Sequence, residues 1–170
     1  MTADIRVLKR RVRVLLVLFV VGLVVSGVTA IPLTCEAEVL QRIVGEGSAV
    51  QARWPALAAW ISRIHRGVTE TSREYPFILY GTDWLAFGHF VIAIAFIGPI
   101  RDPVRNRWVI EFGMIACALV IPWALLIGPI RGIPFFWRLI DCSFGVVGVV
   151  PLYLAWRYTH RLAQLETAGG

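Results

Sequence analysis

The sequence predicts an all-α membrane protein: a bundle of four transmembrane helices, with short amphipathic extracytoplasmic helices between helices 1 and 2. Three observations carry that expectation. Hydrophobic residues make up 58% of the 170 and charged residues 16%, with a mean hydropathy of +0.71, far from the balance of a water-soluble domain. Four apolar runs approach the roughly 20 residues needed to cross a hydrocarbon core about 30 Å thick. Basic residues flank those runs and do not form a stripe between aromatics, so lipid phosphate is the expected anionic partner and nucleic acid is not.

The same composition excludes other classes. Three cysteines in 170 residues are too few for a disulfide-dense secreted scaffold, and no CxxC or Cys/His run suggests zinc or an iron-sulfur cluster. No phosphate loop, nucleophile elbow or zinc-protease spacing occurs. No cofactor is expected. The chain reads as one integral membrane domain.

A basic tail, residues 1–13, carries Arg6, Lys9, Arg10, Arg11 and Arg13 and leads into span 1, residues 14–33. In span 1, Gly22, Ser26 and Ala30 form a small-xxx-small stripe suited to close helix packing. A cleaved signal peptide is the alternative, because Val28-Thr29-Ala30 imitates a cleavage site after a basic start and an apolar core. The segment 34–76 is polar overall but patterned. Val39, Leu40, Ile43 and Val44 repeat at helical spacing until Gly45 and Gly47 interrupt them. Pro55 stands at a favourable first helical position, and Leu57, Trp60, Ile61, Ile64 and Val68 then share one face, opposite Ser62, Arg63, His65 and Arg66. Tyr75-Pro76 ends this excursion.

Span 2 covers 77–100, span 3 covers 108–130 and span 4 covers 139–156, followed by a tail, 157–170. Pro122 and Pro151 each remove a backbone hydrogen bond within a span, and Gly145 and Gly148 leave the fourth helix thin. Trp84, Trp108, Trp137, Trp156 and Tyr158 fall near span ends, as interfacial aromatics do. Counting Arg and Lys gives ten on the side holding both tails and the 101–107 loop, against seven on the other. Both termini are therefore expected in the cytoplasm of a bacterial inner membrane, and inversion is the alternative.

One pattern is more specific than hydropathy. Ile97-Gly98-Pro99-Ile100-Arg101 recurs thirty positions later as Ile127-Gly128-Pro129-Ile130-Arg131. Gly-Pro closes each outgoing helix, and Asp102 reads as an N-cap for the incoming one. Ten residues after each arginine stands an acid, Glu111 or Asp141. The expected consequence is two interhelical staples, Arg101 with Glu111 and Arg131 with Asp141, because a lone acid inside a span is disfavoured. The alternative takes the echo as a pair of opposed repeats, which in transporters flank a binding site.

Ionisable groups inside spans are functional candidates by default. Asp83, His89, Arg131, Arg138 and Asp141 form the candidate polar cluster or ion path. His89 lies six residues past Asp83, about 9 Å along the axis and about 120° around it, so the two do not share a face. Haem ligation by His89 with Met114 or Cys117 opposite has no supporting motif. Cys35 and Cys142 are both placed near the outer surface, where a disulfide is allowed if their Cα atoms lie within about 7 Å; Cys117 reads as packing. The functional expectation is a structural or accessory subunit of a membrane assembly, partnered by the bilayer and by other membrane helices or a second copy. Its alternative is a small transporter or proton-coupled channel using Asp83, His89 and Asp141.

Overall fold

The computed structural model describes residues 2–168, most of them helical and none of them in a strand. In order the elements are α1 (Thr2–Ala30), α2 (Leu33–Val44), α3 (Pro55–Glu74), a 3-10 turn (Pro76–Ile78), α4 (Tyr80–Ala95), α5 (Ile97–Arg101), α6 (Arg107–Ile130) and α7 (Phe135–Ala168). Four stretches are long and apolar enough to cross a membrane: Asp4–Ala30, Pro76–Arg101, Arg107–Ile130 and Phe135–Thr167. Each overlaps one of the four runs expected from hydropathy, but the first helix ends at Ala30, short of the expected residue 33, and Leu33 already opens α2. The chain divides into two compact units. One holds α1 up to Gly22 and everything described from Ala93 onward; the other runs from Leu23 to Ile92.

In the first unit α6 and α7 pack side by side. A Cβ on Gly145 would strike the backbone carbonyl of Cys117, one on Gly148 would lie 2.9 Å from Cys117 Sγ, and one on Gly113 would lie 2.9 Å from Leu152 Cδ1. These pairs descend one helix as they climb the other, so the two run antiparallel. Small residues at each crossing let the backbones approach, which is how apolar helices gain contact when burial from water does not drive them together. Phe96, wholly buried, closes the unit from the α4–α5 junction, with its ring 4.8 Å from that of Phe19 on α1.

Span 2 was expected as one uninterrupted run, and the structure breaks it at Phe96. Pro99 has no N–H to give to the carbonyl four residues back. Phe96 N turns to Ala93 O at 3.2 Å, and α5 restarts with Ile100 N on Phe96 O at 3.1 Å.

Both expected tails are helical extensions instead. α1 begins at Thr2 and α7 continues to Ala168; at 34 residues, α7 is about 51 Å long, some 20 Å more than the hydrocarbon core requires. The reason is mutual packing. Val12, Leu16, Thr159 and Leu162 are wholly buried, Lys9 Nζ lies 2.9 Å from Glu166 Oε1, and the Arg11 guanidinium sits 5.8 Å from the centre of the Tyr158 ring.

The repeated Ile-Gly-Pro-Ile-Arg motif ends a helix both times, and its glycine makes room for a polar side chain from just beyond the turn. A Cβ on Gly98 would come within 3.2 Å of Asn106 Oδ1, and one on Gly128 would collide with Arg138 Cδ. Asn106 Nδ2 donates to Gly98 O at 3.3 Å and to Asp102 O at 2.9 Å, and Arg13 Nε donates to Ile100 O at 3.2 Å. Asp102 does not cap α6: its carboxylate accepts from Arg105 N at 3.1 Å inside the turn, and Asn106 stands at the cap position. At the second copy, Ile133 N bonds Gly128 O and Gly132 N bonds Pro129 O, with Gly132 at φ +69°. That is a Schellman termination, which needs a left-handed residue. Gly132→Ala is expected to destabilise by about 1 kcal/mol, read as a lowered unfolding midpoint in detergent.

In the second unit, α2 and α3 face one another through a polar node. Ser62 Oγ donates to Gln41 Oε1 at 2.9 Å and accepts from Glu46 N at 2.8 Å. Ser62 was expected on the solvated face of its helix; it is 5% exposed because this node turns it inward. On α2, by contrast, Val39, Leu40 and Ile43 remain exposed. The residues 23–30 of α1 meet α4 at Gly27, where an added Cβ would lie 2.8 Å from Phe90 Cε1, 3.1 Å from His89 Cβ and 3.2 Å from Ala86 O. Gly22, which heads the expected stripe, faces open space.

Candidate functional site

Polar groups inside apolar helices are the natural place to look for function, because each is held there against a desolvation penalty. In the first unit the best connected is Glu111, in the second turn of α6. Its Oε1 lies 3.1 Å from Nε of Arg107, one helical turn earlier, and accepts a 3.0 Å hydrogen bond from Nε1 of Trp156 on α7. Arg107 Nη1 also stands 3.5 Å from His160 Nε2. The His160 ring meets Trp156 edge-on, with centroids 4.5 Å apart. The node joins the start of α6 to the later turns of α7.

This differs from the expected staple. Glu111 pairs with Arg107 and not with Arg101, which lies exposed at the end of α5. The spacing explains the choice: residues four apart share a helix face, whereas reaching Arg101 requires crossing the 102–106 turn. The Trp156 contact depends on the α6–α7 register, which no local pattern announces.

Glu111→Gln keeps an oxygen for Trp156 and loses the half-exposed ion pair, a loss of about 0.5 kcal/mol. Glu111→Leu loses both and leaves the indole N–H without its acceptor, so about 2 kcal/mol is expected. Thermal unfolding followed by tryptophan fluorescence separates the two variants.

The second expected staple is not formed either. Arg131 is exposed at the C-cap of α6. Arg138 folds back over Gly128, its guanidinium 5.2 Å from the Phe135 ring centre, and its Nε is buried with no hydrogen-bond partner. Asp141, two turns into α7, is partly buried. Among the described residues of its unit, no hydrogen bond or ion pair reaches its carboxylate. The geometry explains this: Arg138, three residues earlier on the same helix, is turned away towards Gly128.

Asp83 and His89 belong to the other unit. Asp83 is exposed in the first turn of α4. His89 uses both ring nitrogens locally: Nδ1 is 2.8 Å from Leu85 O and Nε2 is 3.4 Å from Ser26 Oγ on α1. Cys35, Cys117 and Cys142 are free thiols; Cys117 is buried between Gly145 and Gly148, and Cys142 Sγ lies 3.9 Å from Ile121 O. Among the described residues, no group of three His, Cys, Asp or Glu is placed to hold a metal ion.

The class of protein these features define is an all-helical chain with four apolar stretches of membrane-spanning length. No family model, curated protein or solved structure matches it.

Proposed function

We propose that this chain is a multi-pass protein of a bacterial inner membrane whose role is structural or accessory, a subunit that docks against other membrane helices or a second copy of itself. The observation that carries this reading is Asp141, a partly buried carboxylate on α7 with no partner in its own unit. A lone acid in a span is unfavourable by about 2.5–3.5 kcal/mol at mid-helix and less towards an end. A donor or cation on a neighbouring helix relieves that penalty.

Large exposed apolar side chains on α6 and α7 agree with a lipid or helix surrounding. Trp123 is 70% exposed, Leu126 68% and Val147 70%, faces that water would disfavour. The arginine bias sets both termini on the cytoplasmic side and residues 34–76 outside. There the exposed Val39, Leu40 and Ile43 give α2 an apolar face to lay on the membrane surface.

A small transporter or proton-coupled channel using Asp83, His89 and Asp141 is the rival, and it draws on the same unpaired carboxylate. Against it, His89 is already bonded through both ring nitrogens. The deciding experiment isolates the tagged full-length chain from its own membranes in mild detergent. Copurification of another membrane chain or a second copy, reduced about tenfold by Asp141→Asn, is expected. A solitary chain whose liposomes carry ion flux abolished by Asp141→Asn establishes transport instead.

A further inference from the structure

A groove runs along the seam between α1 and α7, wholly within the first unit. Its outer stretch, about 620 Å³, is lined by Asp4, Val7, Arg11, Arg161 and Gln164, among others. Its inner stretch, about 510 Å³, shares Val7 and Arg11 and continues along Arg10, Val14, Leu15, Leu154 and Tyr158. Each volume lies within the range of small-molecule sites, about 300–1,000 Å³. On α1 the lining residues step through 4, 7, 11 and 14, while on α7 they step back through 164, 161, 158 and 154. The two stretches are therefore one continuous channel along an antiparallel seam.

Polarity changes along it. Arg10, Arg11 and Arg161 are among the lining residues, and Asp4 is the one acid in the two linings. Among the described residues, neither Arg10 nor Arg161 has an ion-pair partner. Lys9, which does not line the groove, pairs with Glu166. Beyond Arg11 the walls become aliphatic, with Val14, Leu15 and Leu154, and Tyr158 stands at the transition beneath the Arg11 guanidinium. Excess positive charge at one end and an apolar floor at the other complement an anionic amphiphile, and guanidinium matches phosphate with paired N–H donors.

We propose that this groove is a binding site for an anionic phospholipid, its phosphate held between Arg11 and Arg161 and an acyl chain lying along Val14, Leu15 and Leu154, which presupposes that the chain sits in a bilayer as proposed above. Arg10, which lines the inner stretch, adds a further positive charge next to Arg11.

The test uses the full-length chain purified in detergent, with native mass spectrometry of lipid adducts. Phosphatidylglycerol is expected to remain bound at roughly tenfold lower concentration than phosphatidylcholine with the same acyl chains. Each groove arginine contributes about fivefold near a membrane surface, so the double variant Arg11→Gln/Arg161→Gln is expected to weaken phosphatidylglycerol binding about thirtyfold. Arg101→Gln/Arg105→Gln removes the same charge from the α5–α6 turn, outside the groove, and is expected to leave binding within about threefold. Val7→Trp keeps every charge and fills both stretches of the groove; it is expected to block the lipid, and it gives the answer if the double arginine variant does not fold.

Equal retention of the two lipids overturns the proposal, as does equal loss in both arginine pairs or unchanged binding in Val7→Trp. Displacement of phosphatidylglycerol by millimolar inorganic phosphate also overturns it, by showing an anion site without a lipid requirement. Recovery of the chain in the soluble fraction without detergent defeats the membrane reading itself. That outcome is read before any lipid is added.

Discussion

Gly145→Val is expected to separate α6 from α7 and lower stability by about 3 kcal/mol or more. Even a Cβ at this position would run into the backbone carbonyl of Cys117, and backbone cannot rotate away as a side-chain tip can. Relief requires the helices to move apart, which also opens the contacts of Gly148 with Cys117 and of Gly113 with Leu152. Loss of the monodisperse species on mild heating in detergent is the measurement. Gly148→Ala is the internal comparison: its neighbours are the Cys117 sulfur at 2.9 Å and a Phe19 ring carbon at 3.4 Å, both side-chain atoms, so a loss near 1 kcal/mol is expected. If the two variants behave alike, the close approach at Gly145 is not what holds the pair.

Gly27→Leu is the second large effect, also near 3 kcal/mol, and Gly22→Leu is its control. Gly27 packs onto Ala86, His89 and Phe90 of α4, so a leucine there displaces the helix and breaks the Ser26–His89 contact. Gly22 meets nothing within 4 Å, and replacing a helical glycine at an open position removes backbone freedom from the unfolded chain. Gly22→Leu is therefore expected to be neutral or stabilising by up to about 0.8 kcal/mol. Unfolding midpoints of the two single variants, measured side by side in one detergent, check the direction of each. A larger loss at position 22 than at 27 restores the stripe of Gly22, Ser26 and Ala30 as the packing face and overturns the observed one.

These two glycines show how far sequence reasoning reaches. The small-residue content of span 1 was legible, and so was the need for a close helix contact. Which glycine makes it was not, because Gly22 and Gly27 lie about 140° apart around α1 and about 7.5 Å apart along it, and nothing within the helix says which position meets a neighbour. Glu111 teaches the same point. Its need for a partner followed from its place in an apolar run, and Arg107 was readable at helical spacing, yet Trp156 is brought to it by the pairing of α6 with α7. Arg101, the partner suggested by the repeated motif, ends its own helix while Asn106 and Arg13 satisfy carbonyls near its terminus.

Hydropathy alone determined the four long apolar stretches, and α6 differs by a single residue from its expected start. Solvent preference is summed over about twenty side chains, so no neighbour is needed to read it. The break at Phe96 was not read from the sequence, where Pro99 stood only as the close of the outgoing helix; Pro122 and Pro151 lie inside helices that continue past them. Only the tertiary structure decided that the charged ends of α1 and α7 continue as helix, that Ser62 turns inward, and that Arg138 lies over Gly128 and leaves Asp141 alone. Each of those outcomes depends on which atoms a neighbouring element presents at a few ångströms, and periodicity in one segment carries no record of the rotation and register of another.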